Sequence, residues 1–217
     1  DEQAHAQRAD VDAPALAAYR DWRSRVSLDA LDPGSVRLFP LLYLNLGVLG
    51  VVDDLTPRLR RVHDQWATRN RDLLAAVAPA LEAWRLAGID TLVLKGLALA
   101  AHGYPSPAGR PMDDVDVLVP AGQALAARDV LVAAGWRPRS PLDEDTLTVR
   151  HAVGFQRGEL EHLDLHWHVT EECGGAEADA GFWGRAVPLT VHDVRTRMLC
   201  PADLLLHICV HGLKWST

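Results

Sequence analysis

The chain has little cysteine, no surplus of positive charge and no apolar run long enough to cross a bilayer. Its three cysteines, Cys173, Cys200 and Cys209, are odd in number, widely spaced and form no CxxC pair. They predict neither a disulfide framework nor a zinc ribbon, and point to a reducing cytosol. The most apolar stretch, Leu38 to Val52, contains Pro40 and Asn45 and is followed by Asp53 and Asp54. It falls short of the roughly 20 residues that a spanning helix needs. The start, Asp1 to Asp10, is polar and carries no signal-peptide-like apolar segment. These absences predict a soluble, cytoplasmic protein with no membrane partner.

Lys and Arg together number 22 against 29 Asp and Glu, a net charge of −7. Non-specific nucleic-acid binding needs the opposite balance, because it neutralises phosphates with surplus Lys and Arg. Nucleic acid is therefore not an expected partner. A nucleotide whose phosphates are met by a metal ion on carboxylates is compatible with the charge. With 48% hydrophobic residues over 217, the chain can bury a core without disulfides or a structural metal.

The first third reads as helices. Leu16, Tyr19, Trp22 and Val26 mark a helical face from Pro14 to Val26. Asp32-Pro33-Gly34-Ser35 reads as a turn with Ser35 as the cap of the next helix, through Leu38 and Leu46. A long helical pattern runs from Pro57 to Ala87, with Pro79 expected to kink or interrupt it. At Gly88, a helix-terminating position, the period changes. Thr91 to Leu94 and Val115 to Val119 are short apolar runs of the kind buried on both faces of a sheet. Leu97 to Ala101 and Gln123 to Ala134 read as helices, the second closed by Gly135. Val149 to Phe155 is a candidate third strand. Leu160 to Val169 alternates sharply and is the clearest strand in the chain. Pro201 to Trp215 is helical and lacks a C-terminal cap, so the natural polypeptide is expected to continue beyond Thr217. The expected divisions are a helical region at 1–87, an α/β domain at 88–200 and the start of a helical segment at 201–217.

The chemistry-bearing residues lie on the two clearest strands. In Asp113-Asp114-Val115-Asp116, residues two apart share a strand face, so Asp114 and Asp116 project together. Adjacent carboxylates repel and raise one another's pKa unless a cation lies between them. A hard divalent ion, Mg2+ or Mn2+, suits such oxygen ligands. On the later strand Leu163, Leu165, Trp167 and Val169 share one face; His162, Asp164, His166 and His168 share the other. Asp164 is thus a third carboxylate that can lie beside Asp116, as in a clamp for phosphoryl or nucleotidyl displacement. Two alternatives stand beside this reading: a zinc-dependent hydrolase on His162, His166, His168 and Asp164, or an ordinary exposed strand face. Lys95-Gly96, at a strand-to-helix turn, can meet a phosphate with backbone N–H groups and a mobile ammonium. Arg110 can reach the same triphosphate or pair with an aspartate. His207 and His211, four apart on the last helix, are a candidate metal pair, with helix packing as the simpler role.

Taken in order, Leu92-Val93-Leu94-Lys95-Gly96, Arg110 through Val119 and Leu163-Asp164-Leu165-His166-Trp167 resemble the uncharacterised nucleotidyltransferase family of the DNA polymerase β-like superfamily. Arg37 to Tyr43 is similar to that family's helical N-terminal region, and Arg110 to Asp116 also resembles antibiotic adenylyltransferases. The resemblance implies an α+β fold: helices first, then a small mixed sheet flanked by helices, and a helical C-terminal end. It implies two Mg2+ (or Mn2+) ions on Asp114, Asp116 and Asp164, with a nucleoside triphosphate, ATP foremost, as donor. Gly96 matches the nucleotide-loop glycine; the superfamily's usual Gly-Ser is here Lys95-Gly96, and the loop to the aspartates is long. His166 is a possible additional site residue. The acceptor hydroxyl would belong to a small molecule, peptide or protein. A non-catalytic nucleotide-binding or protein-interaction module on the same fold is the rival from another class.

Overall fold

Two buried clusters organise the chain. The computed structural model describes residues 2–159, 161–171, 174–175 and 177–214. It divides into two compact units, Asp1–Trp66 and Ala67–Thr217. Cys173 and the ends of two expected elements, Leu160 and Trp215, lie outside the described residues, as do Asp1 and Thr217. No helix among the described residues is long and apolar enough to cross a membrane.

The first unit is helical, as expected. It holds α1 (Glu2–Arg25), α2 (Pro33–Val36), α3 (Phe39–Val48) and the beginning of α4 (Thr56–Leu86). Tyr19, Phe39, Leu46, Leu55 and Leu59 form its core. Asp53 organises the entry to α4: Oδ1 accepts from Leu55 N at 3.0 Å and Thr56 N at 3.2 Å, while Oδ2 accepts from the Tyr19 hydroxyl at 2.5 Å. Burial, with that bond to Asp53, pushes the Tyr19 hydroxyl up to about 12. Ser35 is not the cap of α2. Asp32 is, its Oδ1 accepting from Ser35 N at 3.0 Å, because a carboxylate three residues upstream reaches the exposed N–H directly. Pro14 lies within α1 rather than at its start.

Helix α4 runs through Pro79 as one element. That proline is on the exposed side, and Arg157 donates to the Ala76 carbonyl at 3.1 Å on the turn before it. Gly88 ends the helix at φ +72, with Ile89 N donating to the Trp84 carbonyl at 2.9 Å. In the second unit Leu73, Val77, Leu81 and Trp84 join a core with the strands β1 (Leu92–Val93) and β2 (Val115–Leu118). The remaining elements follow in order: α5 (Lys95–Gly103) between those strands, then α6 (Ala124–Ala133), β3 (Arg137–Pro138), α7 (Glu144–Val149), β4 (Ala152–Arg157), β5 (Glu161–His166), α8 (Ala180–Arg185), β6 (Val187–Val191), β7 (Val194–Met198) and α9 (Pro201–Lys214). The strand expected from Val149 thus begins at Ala152, because Asp143 caps a short helix over the preceding residues. The alternating strand ends at His166, short of Val169.

The strands form one seven-stranded mixed sheet, order β3-β4-β5-β2-β1-β7-β6. β2 pairs in parallel with β5, and β1 with β7; the other pairs are antiparallel. Every residue of β2 is buried, which explains its nearly unbroken apolar sequence and makes Asp116 the exception requiring an account.

Candidate active site

The parallel register of β2 and β5 places Asp116 opposite Asp164, and Leu118 opposite His166. In-register residues of neighbouring strands share a sheet face, so two carboxylates 48 positions apart stand side by side (164 − 116). On the other flank Leu94 N donates to the Asp116 carbonyl at 2.9 Å, which brings the end of β1 alongside. Lys95 comes next, with φ +40. A non-glycine residue in the left-handed region is strained by about 1–3 kcal/mol. That bend starts α5 and turns the lysine back: its Nζ lies 2.5 Å from Asp116 Oδ1. His166 Nε2 is 3.0 Å from the same oxygen.

Asp116 is 4% exposed and His166 is 1% exposed. Burial alone would raise the Asp116 pKa, but His166 through its hydrogen bond and charge, then Lys95, outweigh it and hold the carboxyl well below its usual range. Its neighbours move the other way. Burial, with repulsion from Asp116 and Asp164, pushes Asp114 up to about 6. Burial and then Asp116 raise Asp164 as well, while His166, Lys95 and Arg139 oppose the shift. One carboxylate is satisfied and two are crowded, the condition a further cation relieves.

Asp116, Asp164 and His166 each offer a ligand atom, and these atoms lie within 4.8 Å of one another. Ligands about 2.1 Å from an ion lie up to about 4.2 Å apart, so a closure of a few tenths of an ångström would seat Mg2+ or Mn2+ there. The two carboxylates suit such an ion, whereas the imidazole is a ligand type that suits Zn2+ better. Asp114 is not among those three atoms, although its charge is felt by the group. His162 and His168 do not join it: His168 Nδ1 is 2.8 Å from Asp179 Oδ2, which holds it to the segment before α8. His207 and His211 form no metal group among the described residues, their ring centroids being 6.5 Å apart.

The other expected residues are placed as follows. Gly96, second residue of α5, lies against Met112, and a Cβ there would be 3.2 Å from Met112 Cγ. It lets α5 start close under the segment that leads into the aspartates. Arg110 donates from Nη1 to the Pro111 carbonyl at 3.1 Å and forms no ion pair with these aspartates. Asp113 is exposed and pairs with Arg69 at 3.1 Å.

Three contributors were not anticipated. Asn70, 1% exposed on α4, donates to the Pro107 and Arg110 carbonyls at 2.8 and 3.0 Å and accepts from Met112 N at 3.3 Å. It pins the long loop before the aspartates. Gly154 is the β4 partner of Asp164; a Cβ there would lie 3.0 Å from Asp164 Oδ1 and 3.1 Å from Arg139 Cδ. Arg139, whose N donates to the Gly154 carbonyl at 2.8 Å, passes through that space. The signals were slight: an amide in a helix rich in Arg and Leu, and a glycine inside a strand, which marks close approach.

The site is thus a mixed sheet carrying carboxylates on adjacent parallel strands, beside a lysine that opens a helix. Residues 35–216 match the family described as uncharacterised nucleotidyltransferase, and the chain belongs to that family. It is an enzyme of the nucleotidyltransferase type. Among solved structures it is similar to the lincosamide antibiotic adenylyltransferase LnuA with lincomycin bound, at 13% identity and a TM-score of 0.44, over 61% of this chain and 83% of that one. It is also similar to the antibiotic-resistance factor ANT(2'')-Ia, at 16% identity and a TM-score of 0.47, over 65% of this chain and 72% of that one. No curated protein matches the chain.

Proposed function

We propose that the protein transfers a nucleoside monophosphate from a nucleoside triphosphate, ATP foremost, to an acceptor hydroxyl, using Mg2+ or Mn2+ held by Asp114, Asp116 and Asp164. The observation that carries this reading is the in-register placement of Asp116 against Asp164, with Asp114 and Asp164 left crowded and protonation-prone. A divalent ion bound there supplies charge neutralisation for the phosphates as the new bond forms.

The chain's own groups do the rest. Lys95, whose ammonium reaches Asp116, orients the triphosphate, with the start of α5 at Gly96 and the Arg110 side chain on the same task. His166 holds the Asp116 carboxylate in place. The acceptor oxygen bonds to the α-phosphorus, the bond from that phosphorus to the bridging oxygen breaks, and pyrophosphate leaves. The hydroxyl proton passes to Asp164, acting as the general base. Rate enhancement in such chemistry comes from positioning and electrostatic stabilisation.

Asp116→Asn keeps the shape and removes the charge. It is expected to lower pyrophosphate release from ATP and Mg2+ by about 100-fold or more while the melting profile stays cooperative. Wild-type turnover in that variant would refute the assignment.

A further inference from the structure

A pocket of about 450 Å3 adjoins the carboxylates, in the size range of small-molecule sites. Asp164 and His166 from β5, Lys95 at the start of α5, and His207, Val210 and His211 from α9 line it. Ala152 and Val169 add apolar wall, and His151 adds another imidazole. Of the residues assigned to the triphosphate side, Lys95 lines it at the edge it shares with Asp116, while Gly96 and Arg110 do not, and neither does Asp114. The space therefore lies on the Asp164 flank, where an acceptor has to approach.

The lining also states what the occupant is like. An imidazole combines donor and acceptor on one ring, the complement of a hydroxyl. His207 is 3% exposed, and its Nδ1, like that of His166, is buried without a hydrogen-bond partner. Anions are disfavoured: Asp164 and Glu171 line the pocket, and Lys95, its ammonium, is already held by Asp116.

Resting on the transferase reading above, we infer that this pocket is the acceptor site and that the acceptor is a small hydroxylated molecule without net negative charge. One of its hydroxyls lies beside Asp164, gives up its proton to that carboxylate and forms the bond to the α-phosphorus, while pyrophosphate departs with the electrons of the broken bond. A pocket of this volume suits a molecule of a few tens of atoms, which sets a macromolecular end as the opposing outcome of the test.

The test uses ATP labelled at its α-phosphate, with Mg2+ and the full chain. The probes are glycerol, ribose, glucose, inositol and glucosamine; gluconate is the anionic control, and an oligoribonucleotide and casein are the macromolecular arms. Label is expected on at least one uncharged or cationic probe, and on neither gluconate nor the macromolecules. Val210→Trp fills the pocket from α9, and His207→Asn removes the ring while keeping a polar group. Each is expected to raise the KM of the labelled probe by about tenfold more than that of ATP. Melting profiles that match the wild type's identify the variants that remain folded. Label on RNA or casein, label on gluconate, no label on any probe, or a KM increase confined to ATP overturns the inference. Failure of the transferase reading itself looks different: no pyrophosphate is released with any probe or with water.

Discussion

Replacing Gly154 by Ala probes the active site without touching a carboxylate or a cation. Its backbone does not require glycine, so the effect of the added methyl group is purely one of space. That methyl would lie 3.0 Å from Asp164 Oδ1 and 3.1 Å from Arg139 Cδ, each several tenths of an ångström inside ordinary contact. Arg139 is exposed and can swing away; Asp164 is held in β5 between β4 and β2 and has less freedom. Overpacking costs about 1–3 kcal/mol, and the gain from removing a strand glycine offsets about 0.5–1 kcal/mol of it. Net destabilisation should therefore be about 0–2.5 kcal/mol by urea or thermal unfolding. Activity should suffer more, because misplacement of a reacting group by about 1 Å costs up to about 100-fold; a loss of about 10–100-fold is expected. Arg139→Ala in the same chain removes one of the two collisions, so the double variant should recover part of the loss relative to Gly154→Ala alone. Wild-type pyrophosphate release and wild-type Mn2+ affinity in Gly154→Ala would refute the argument that this strand position shapes the site.

Two further outcomes follow from the same geometry. Asp114 titrates at about 6 in the folded chain against 3.8 for the free side chain, so the folded state binds its proton more tightly. By linkage, its unfavourable contribution is absent below about pH 4, grows as pH rises through about 6, and is constant above. Metal-free Asp114→Asn should therefore be more stable than wild type at pH 7.5 by about 1–2 kcal/mol, and no more stable near pH 4. Mg2+ should raise the wild type's Tm and leave that of the variant almost unchanged; equal stability of the two metal-free proteins at pH 7.5 would contradict the crowding. Asn70→Ala should cost about 2–3 kcal/mol, since it leaves buried groups of the loop unpaired. It should also raise the KM for ATP, and an unchanged urea midpoint would show that the loop is held by other contacts.

The polar and apolar faces of residues 161–168 and the buried run at 115–119 were legible because strand periodicity is local. The pairing that makes them a site was not local: nothing in the alternation dictates that β2 and β5 are neighbours or that Asp116 meets Asp164. The shared polar faces offered that meeting as one possibility and the resemblance of ordered motifs favoured it; the register sets the two residues opposite each other. Gly154, Arg139 and Asn70 stayed hidden because each acts through a contact with a residue far along the chain. Strand β3 is two residues long; β6 and β7 alternate over only five residues each, and Pro188 in β6 is a residue that a strand admits only at an edge, where the sheet order places it. Ser35 and Pro79 show propensity being overruled: a nearby carboxylate took the cap at one, and surrounding contacts carried the helix through the other. Lys95 was expected as a dangling phosphate contact. Its strained backbone instead folds it onto Asp116, where it occupies part of the negative field that substrate and metal would share.

That sharing is best tested by a crystal structure of the full chain soaked with Mn2+ and a non-hydrolysable ATP analogue. The account predicts an anomalous peak coordinated by oxygens of Asp116 and Asp164, with the Lys95 ammonium moved from Asp116 toward the phosphates. Bound nucleotide with no metal at those oxygens, or with the two carboxylates turned apart, would contradict it.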